Sequence, residues 1–214
     1  MGSEYMECRN LLEIKNIRDI VSISRLLGMP QKTTYFTSAV YYKYISMPKS
    51  RKTIPIGAAC ILLSGKVNGS LRSLEQILKA SYKHHGVDPE KFFQDDYKDA
   101  IDIELHACIA MDFDFDMDDP YSFLEKICMD NDVDRSRAQT MWVMLNDTMY
   151  LPLILSFSIR SIVVSCMFVS DIARDKGCKD IDEFKERYKL TEINTGDIDF
   201  ISKEIVSFYE HMPK

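Results

Sequence analysis

Few residues of this 214-residue chain have the type and spacing to do chemistry. Gly65-Lys66 closes the run GAACILLSGKV and invites comparison with a phosphate loop. Such a loop needs glycine at position 60 and serine or threonine at 67, where Cys60 and Val67 stand. Asp112, Asp114 and Asp116 alternate like the carboxylates of a calcium loop, but that loop needs glycine at 117 and glutamate at 123; Met117 and Phe123 occupy those places. His84-His85 read as solvated imidazoles, favoured at the negative end of a helix. His106 reads as a satisfied semi-buried residue rather than a ligand, and Trp142, amid Met141, Met144 and Leu145, as core. Cys8, Cys60, Cys108, Cys128, Cys166 and Cys178 make no C-x-x-C pair and no disulfide framework. Cys60, Cys108 and Cys166 sit in apolar helical patterns and read as free buried thiols of a reducing compartment. No G-x-G-x-x-G, H-E-x-x-H or G-x-S-x-G occurs, and no residues meet the nucleophile, base and orienter test. The expectation is a chain with no catalytic site, no metal, no cofactor and no small-molecule substrate.

Composition narrows the class. Hydrophobic residues make up 46% and charged residues 28%, with a net charge of −6. That excludes a disordered acidic tail and a strongly basic nucleic-acid binder. With Gly 8 and Pro 7, tight turns are too few for an all-β barrel or sandwich. The N-terminus is charged, has no apolar signal core, and fails as a myristoylation signal because position 6 is Met; Met1-Gly2-Ser3 reads as an expression scar. The apolar stretch from Leu151 to Val169 is broken by Pro152, Arg160 and several serines, a poor composition for a membrane span. Charge is segregated: residues 1–60 carry nine Lys/Arg against four Asp/Glu, and residues 88–119 carry two Lys against twelve Asp/Glu. Such blocks are solvated faces or a dipolar surface that steers a partner.

The elements that would position these residues are helices almost throughout. Ile14, Ile17, Val21 and Leu27 repeat near 3.6 residues over Glu13–Leu27, with Gly28 as a stop. Gln31–Ile45 places Phe36, Val40, Tyr41 and Tyr44 on one stripe. Pro48 and the basic run Lys49, Arg51, Lys52 mark a loop, too short for an import signal, and Thr53 is a cap with Pro55 in the first turn. Ile54–Val67 is apolar or small around most of its circumference, so it reads as central, with Gly57, Ala58, Ala59 and Gly65 admitting close neighbours. Asn68-Gly69 ends it, Ser70 caps a helix over Leu71–His84, and a polar connection runs from Gly86 to Asp96. Asp96–Met111 reads as a second central helix. The run DFDFDMD then alternates strictly, which predicts an extended segment with Phe113, Phe115 and Met117 on one side. Asp119-Pro120 restarts the helical pattern, with helices at Pro120–Met129, Asp134–Met149, Phe157–Arg174, Asp180–Tyr188 and Gly196–His211, and a capping-box pattern at Asp180 and Glu183. The small-residue helix SIRSIVVSCMFVSDIA holds the same ordinal place as Ile54–Val67. The chain therefore reads as all-α: two copies of a five-helix unit joined by DFDFDMDD.

GAACILLSGKV, the helix and polar loop after it, IELHACIAMDFDF, and then Pro120-Tyr121-Ser122-Phe123-Leu124 together resemble the cyclin box. Lys66-Val67, Glu104 and Phe113-Asp114-Phe115 fit that family's lysine, glutamate and aromatic–Asp–apolar exit. AQTMWVMLNDTMYLPLILSFSIRSIVVSCMF is similar to the second box of the transcriptional cyclins of the K, T and L types. The resemblance runs from about Asn16 to Pro213 and implies a first box over residues 13–116 and a second over 117–212. Two departures stand out. Asn68 and Gly69 replace the usual acidic pair after the lysine, and Arg18 lacks the tryptophan of the substrate-docking patch of mitotic cyclins.

The resemblance implies a non-catalytic regulatory subunit in the nucleus, which activates a cyclin-dependent kinase by binding its active conformation better than its inactive one. By resemblance Lys66 donates to kinase carbonyls, Glu104 accepts from kinase amides, and Leu63, Val67, Cys108, Phe113 and Phe115 line an apolar groove. Read from the residues alone, Lys66 and Glu104 form an internal ion pair that supports the fold. Other users of the double fold, a TFIIB-like scaffold on DNA or a pocket-protein-like peptide binder, are the alternatives; the net charge of −6 argues against DNA.

Overall fold

The computed structural model describes residues 11–47, 55–88, 94–173, 178 and 180–211. Every regular element among them is helical, and the chain divides into two compact units, Met1–Asp116 and Met117–Lys214. The expected N-terminal features (Met1-Gly2-Ser3, Met6, Cys8), the basic run Lys49–Lys52, the Thr53 cap and Arg174 lie outside the described residues.

The first unit holds α1 (Leu11–Leu26), α2 (Gln31–Ile45), α3 (Pro55–Val67), α4 (Leu74–His84) and α5 (Gln94–Ala110). As its apolar circumference requires, α3 packs against α5, α2, α4 and α1, and Ala58, Ala59, Cys60 and Ile61 are fully buried. Polar ties run between neighbours. Asn16 Nδ2 donates to Tyr41 Oη at 2.8 Å, joining α1 to α2, and Tyr82 Oη donates to Asp96 Oδ2 at 2.6 Å, joining α4 to α5.

Four local expectations need correction. First, α2 is not amphipathic: Thr33, Thr34, Tyr35, Phe36, Thr37, Ser38, Ala39, Val40, Tyr41, Tyr42 and Tyr44 are all buried. Second, α5 is not central: only Ala100, Ile103 and Ala107 are buried on it. Third, the cap of α4 is Ser73, not Ser70. Ser73 accepts from the Gln76 amide while the Gln76 side chain accepts from the Ser73 amide, a capping box, and the Ser70 hydroxyl lies 3.0 Å from that of Thr33. Fourth, strict alternation fails at the start of DFDFDMD. Asp112 and Phe113 both have φ of +53°, because the amides of Asp112 and Phe113 turn back to the carbonyls of Ile109 and Cys108 to close α5. Phe113 is exposed; only from Asp114 onward do inward residues (Phe115, Met117, Asp119) alternate with exposed aspartates.

The second unit holds α6 (Pro120–Asp130), α7 (Arg135–Asp147), two 3-10 turns (Thr148–Tyr150 and Pro152–Leu155), α8 (Ile159–Ala173), α9 (Ile181–Arg187) and α10 (Thr195–His211). Asp119, Asp134 and Asp180 cap α6, α7 and α9 by accepting backbone amides of the first turn. Helix α8 packs against α10, α7 and α6, with twelve of its fifteen residues buried. A buried ionic cluster ties three helices together. Arg137 Nη2 donates to Asp171 Oδ1 and to Tyr188 Oη, and the guanidinium lies 5.3 Å from the centre of the Tyr188 ring. Asp171 is 4% exposed, so the arginine neutralises a carboxylate that water cannot reach. No helix among the described residues is long and apolar enough to cross a membrane.

Candidate functional site

The end of α3 sets the position of Lys66. The amides of Asn68 and Ser70 bond back to the carbonyls of Ser64 and Gly65, and Gly69 takes φ of +66°, the left-handed turn that closes a helix at glycine. Asn68 adds a side-chain bond to the Ser64 carbonyl at 3.1 Å. Asn68 and Gly69, where the cyclin pattern has two acidic residues, thus terminate α3.

Helix α5 brings Glu104 to this corner. Lys66 Nζ donates to Glu104 Oε1 at 2.6 Å and to Oε2 at 2.9 Å. The lysine side chain is 51% exposed and the glutamate 13%. An ammonium has three N–H donors, and this one spends two on the carboxylate. One ammonium N–H and part of the carboxylate's acceptor capacity are left over from the pair. Cys108 follows Glu104 by one turn. Its thiol pKa is pushed up, first by desolvation and then by the Glu104 carboxylate, with Lys66 opposing, so it stays a neutral, weakly polar surface.

The other expected residues divide. Val67, Cys108 and Phe115 are half-buried, Cys108 within the electrostatic reach of the pair, and Phe113 is exposed. Leu63 is buried, at 4% exposed, on a helix surrounded by others. Phe113 is also notable for its backbone. A bulky residue at φ of +53° is unusual, and such conformations cluster at binding sites.

Sequence reading missed the largest part of this surface. Tyr97, Ile101, Leu105 and Ile109 are exposed along α5, Leu105 at 54%. At 100° per residue they form one stripe, contiguous with Glu104 and Cys108 and opposite the buried stripe of Ala100, Ile103 and Ala107. The signal was present: Tyr97, Ile101, Leu105 and Ile109 recur every four residues on a face other than that of Ala100, Ile103 and Ala107, so two faces of the helix are apolar. Exposed Asp95, Asp102, Asp112, Asp114 and Asp116 flank the stripe. The acidic block is thus gathered around an apolar face that favours a basic, apolar partner.

The remaining chemistry-bearing residues sit elsewhere. Cys60 and Cys166 are buried thiols with pKa raised by desolvation, and the five described cysteines are free. Cys108 and Cys128 are only partly buried. His106 is exposed, not semi-buried, with Nδ1 2.8 Å from the Asp102 carbonyl. Trp142 is corrected from core to surface: it is 41% exposed and packs against Tyr121 with ring centres 4.4 Å apart and planes tilted by 42°.

No family model matches the chain. It is 26% identical to human Cyclin-K over 161 residues, which are 72% of this chain and 28% of that protein. It is 26% identical to Cyclin-C1-1 of Arabidopsis thaliana over 185 residues, 82% of this chain and 67% of the relative. The chain therefore spans well under half of Cyclin-K and about two thirds of Cyclin-C1-1. Among solved structures, a chain of the yeast RNA Pol II CTD kinase CTDK-1 complex superposes with a TM-score of 0.83 at 20% identity, covering 98% of this chain and 68% of that one. A chain of the CAK complex from Chaetomium thermophilum gives 0.56 at 16% identity, covering 94% and 65%.

Proposed function

We propose that this chain, which belongs with the transcriptional cyclins of the K and C types, is the regulatory subunit of a cyclin-dependent kinase that acts in RNA polymerase II transcription. Its two units correspond in this reading to the two cyclin boxes, residues 13–116 and 117–212. A nuclear location follows from the same kinship. The observation that carries the docking site is the Lys66–Glu104 pair set beside the exposed apolar stripe of α5.

The mechanism is one of differential binding. A kinase with a mobile regulatory helix populates inactive and active positions of that helix. Apolar residues of the kinase helix cover Ile101, Leu105, Cys108 and Phe113, while Lys66 and Glu104 hold backbone carbonyls and amides at its end. Both sets of contacts exist only in the inward position, so binding shifts the kinase toward it. The acidic rim speeds encounter with a basic kinase face and fixes the register.

The test is co-expression with kinases of the transcriptional class, followed by purification and phosphorylation of a polymerase-tail peptide. The expected result is a stable complex with raised activity. A monodisperse chain that neither binds nor activates any of them would remove the proposal.

A further inference from the structure

The structure assigns a divalent-cation site, best suited to zinc, to Asp19, His84 and His85 in the first unit. One ligand atom from each of the three lies within 4.8 Å of the others. His84 Nε2 is already 2.9 Å from Asp19 Oδ1, and the His84 and His85 rings meet edge to face with centres 5.1 Å apart. Two imidazoles and one carboxylate form the three-ligand set that leaves a fourth position to water. Zinc with bonds of about 2.0–2.1 Å needs tetrahedral ligands roughly 3.3 Å apart. His84 and Asp19, 2.9 Å apart, would separate by a few tenths of an ångström, and the exposed His85, with its ligand atom within 4.8 Å of theirs, would close in by turning about its own bonds.

The fold holds the ligands in place. His84 is the last residue of α4 and His85 its cap. The amide of Gly86 bonds to the Lys83 carbonyl and that of Val87 to the Tyr82 carbonyl, with Gly86 at φ of +71°. This double closure fixes the backbone that carries both imidazoles. Asp19 comes from the middle of α1, which packs against α4, and is only 19% exposed, so it is held by its helix and not by a loop. Electrostatics favour a cation, because the negative end of the α4 dipole and the Asp19 carboxylate converge. Neutral imidazoles suit a borderline metal better than magnesium or calcium, which take oxygen ligands. The metal would clamp α1 to the end of α4 and join two elements that flank α3, at a place separate from the Lys66–Glu104 corner. His84 Nε2 gives up its hydrogen bond to Asp19 and coordinates with its proton on Nδ1.

The experiment uses the full chain, stripped with chelator and titrated with zinc chloride, with heat of binding and melting temperature as readouts. Cobalt(II) serves as an optical probe. Expected are one saturable equivalent, a rise in melting temperature, and a cobalt spectrum without a thiolate charge-transfer band. H84A, H85A and D19N should each weaken zinc at least tenfold. H85A removes an exposed side chain, so it keeps the fold and tests the site even if H84A does not. No saturable binding, a thiolate band, or wild-type affinity in H85A and D19N would overturn the assignment, and none of these results bears on kinase docking.

Discussion

The free chain and the docked chain should respond very differently to loss of Lys66 and Glu104. In the free chain the ammonium is half in water, and exposed pairs of this kind contribute about 0.2–1 kcal/mol. For a protein of this length 1 kcal/mol moves the melting temperature by about 2–4 °C, so K66A,E104A should melt within that range of wild type. Docking removes the remaining water from both groups. Truncating one partner of a hydrogen-bonded interface pair costs about 2–5 kcal/mol, a loss of roughly thirty- to several-thousand-fold in affinity for the kinase. The assay pairs thermal melting of the isolated chain with calorimetric titration of kinase and phosphorylation of a peptide substrate. K66A,E104A that activates at the wild-type level refutes the interface role and leaves an internal ion pair. A melting temperature that collapses in parallel with activation refutes it too, because the pair would then act through the fold.

Further outcomes are specific. I101D,L105E places charge on residues 47% and 54% exposed, so stability should change by under about 0.5 kcal/mol while kinase binding falls below detection in the same titration; retained binding would exclude the α5 stripe from the interface. R137A strands the Asp171 carboxylate in the second unit and should cost about 3–5 kcal/mol in urea unfolding, whereas R137M,D171L should recover most of that loss; equal losses would show that the cluster is not acting as a buried pair. Tyr41, 2% exposed, has its pKa pushed up to about 12 by desolvation, with the Asn16 hydrogen bond pulling it down. Because the folded value exceeds the ordinary 10.0, the native state holds this proton more tightly, so its contribution is complete below pH 10.0 and is lost as pH rises through about 12. Y41F should therefore lose stability less steeply than wild type over that alkaline window, and identical slopes would contradict the assignment.

Much of the architecture was legible because it rests on local signals. Apolar circumference identified α3 and α8 as the helices around which each unit packs, and Asp119-Pro120 and Asp180 marked helix starts that the structure places at the same residues. The residues alone suggested Lys66 and Glu104 as an internal ion pair, but a separation of 38 residues gives no sign of a docking role, which came only from the resemblance. The cap of α4 was misplaced because Ser70 and Ser73 are equally suited by type. Gln76 three residues after Ser73 was the deciding signal, since only that spacing allows the reciprocal bond. The left-handed pair at Asp112 and Phe113 was illegible, because neither is glycine and alternation dominated the pattern.

The opposite errors at α2 and α5 share one cause. Helix α2 carries Thr33, Thr34, Thr37 and Ser38, hydroxyls that mark a wet face when counted by polarity. Thr37 Oγ1 donates to the Thr33 carbonyl at 2.8 Å and Ser38 Oγ to the Tyr35 carbonyl at 2.7 Å, so these groups satisfy themselves on their own helix and can be buried at little cost. Helix α5 carries Ile101, Leu105 and Ile109, which mark a dry face by the same count, yet no element of this chain covers them among the described residues. Hydrophobicity records what a side chain is finally buried against, including surface supplied by another molecule. A helix that reads as core but packs on one side only is therefore informative: in the proposed complex the kinase supplies the missing half of its burial, and on α5 the uncovered stripe adjoins Glu104.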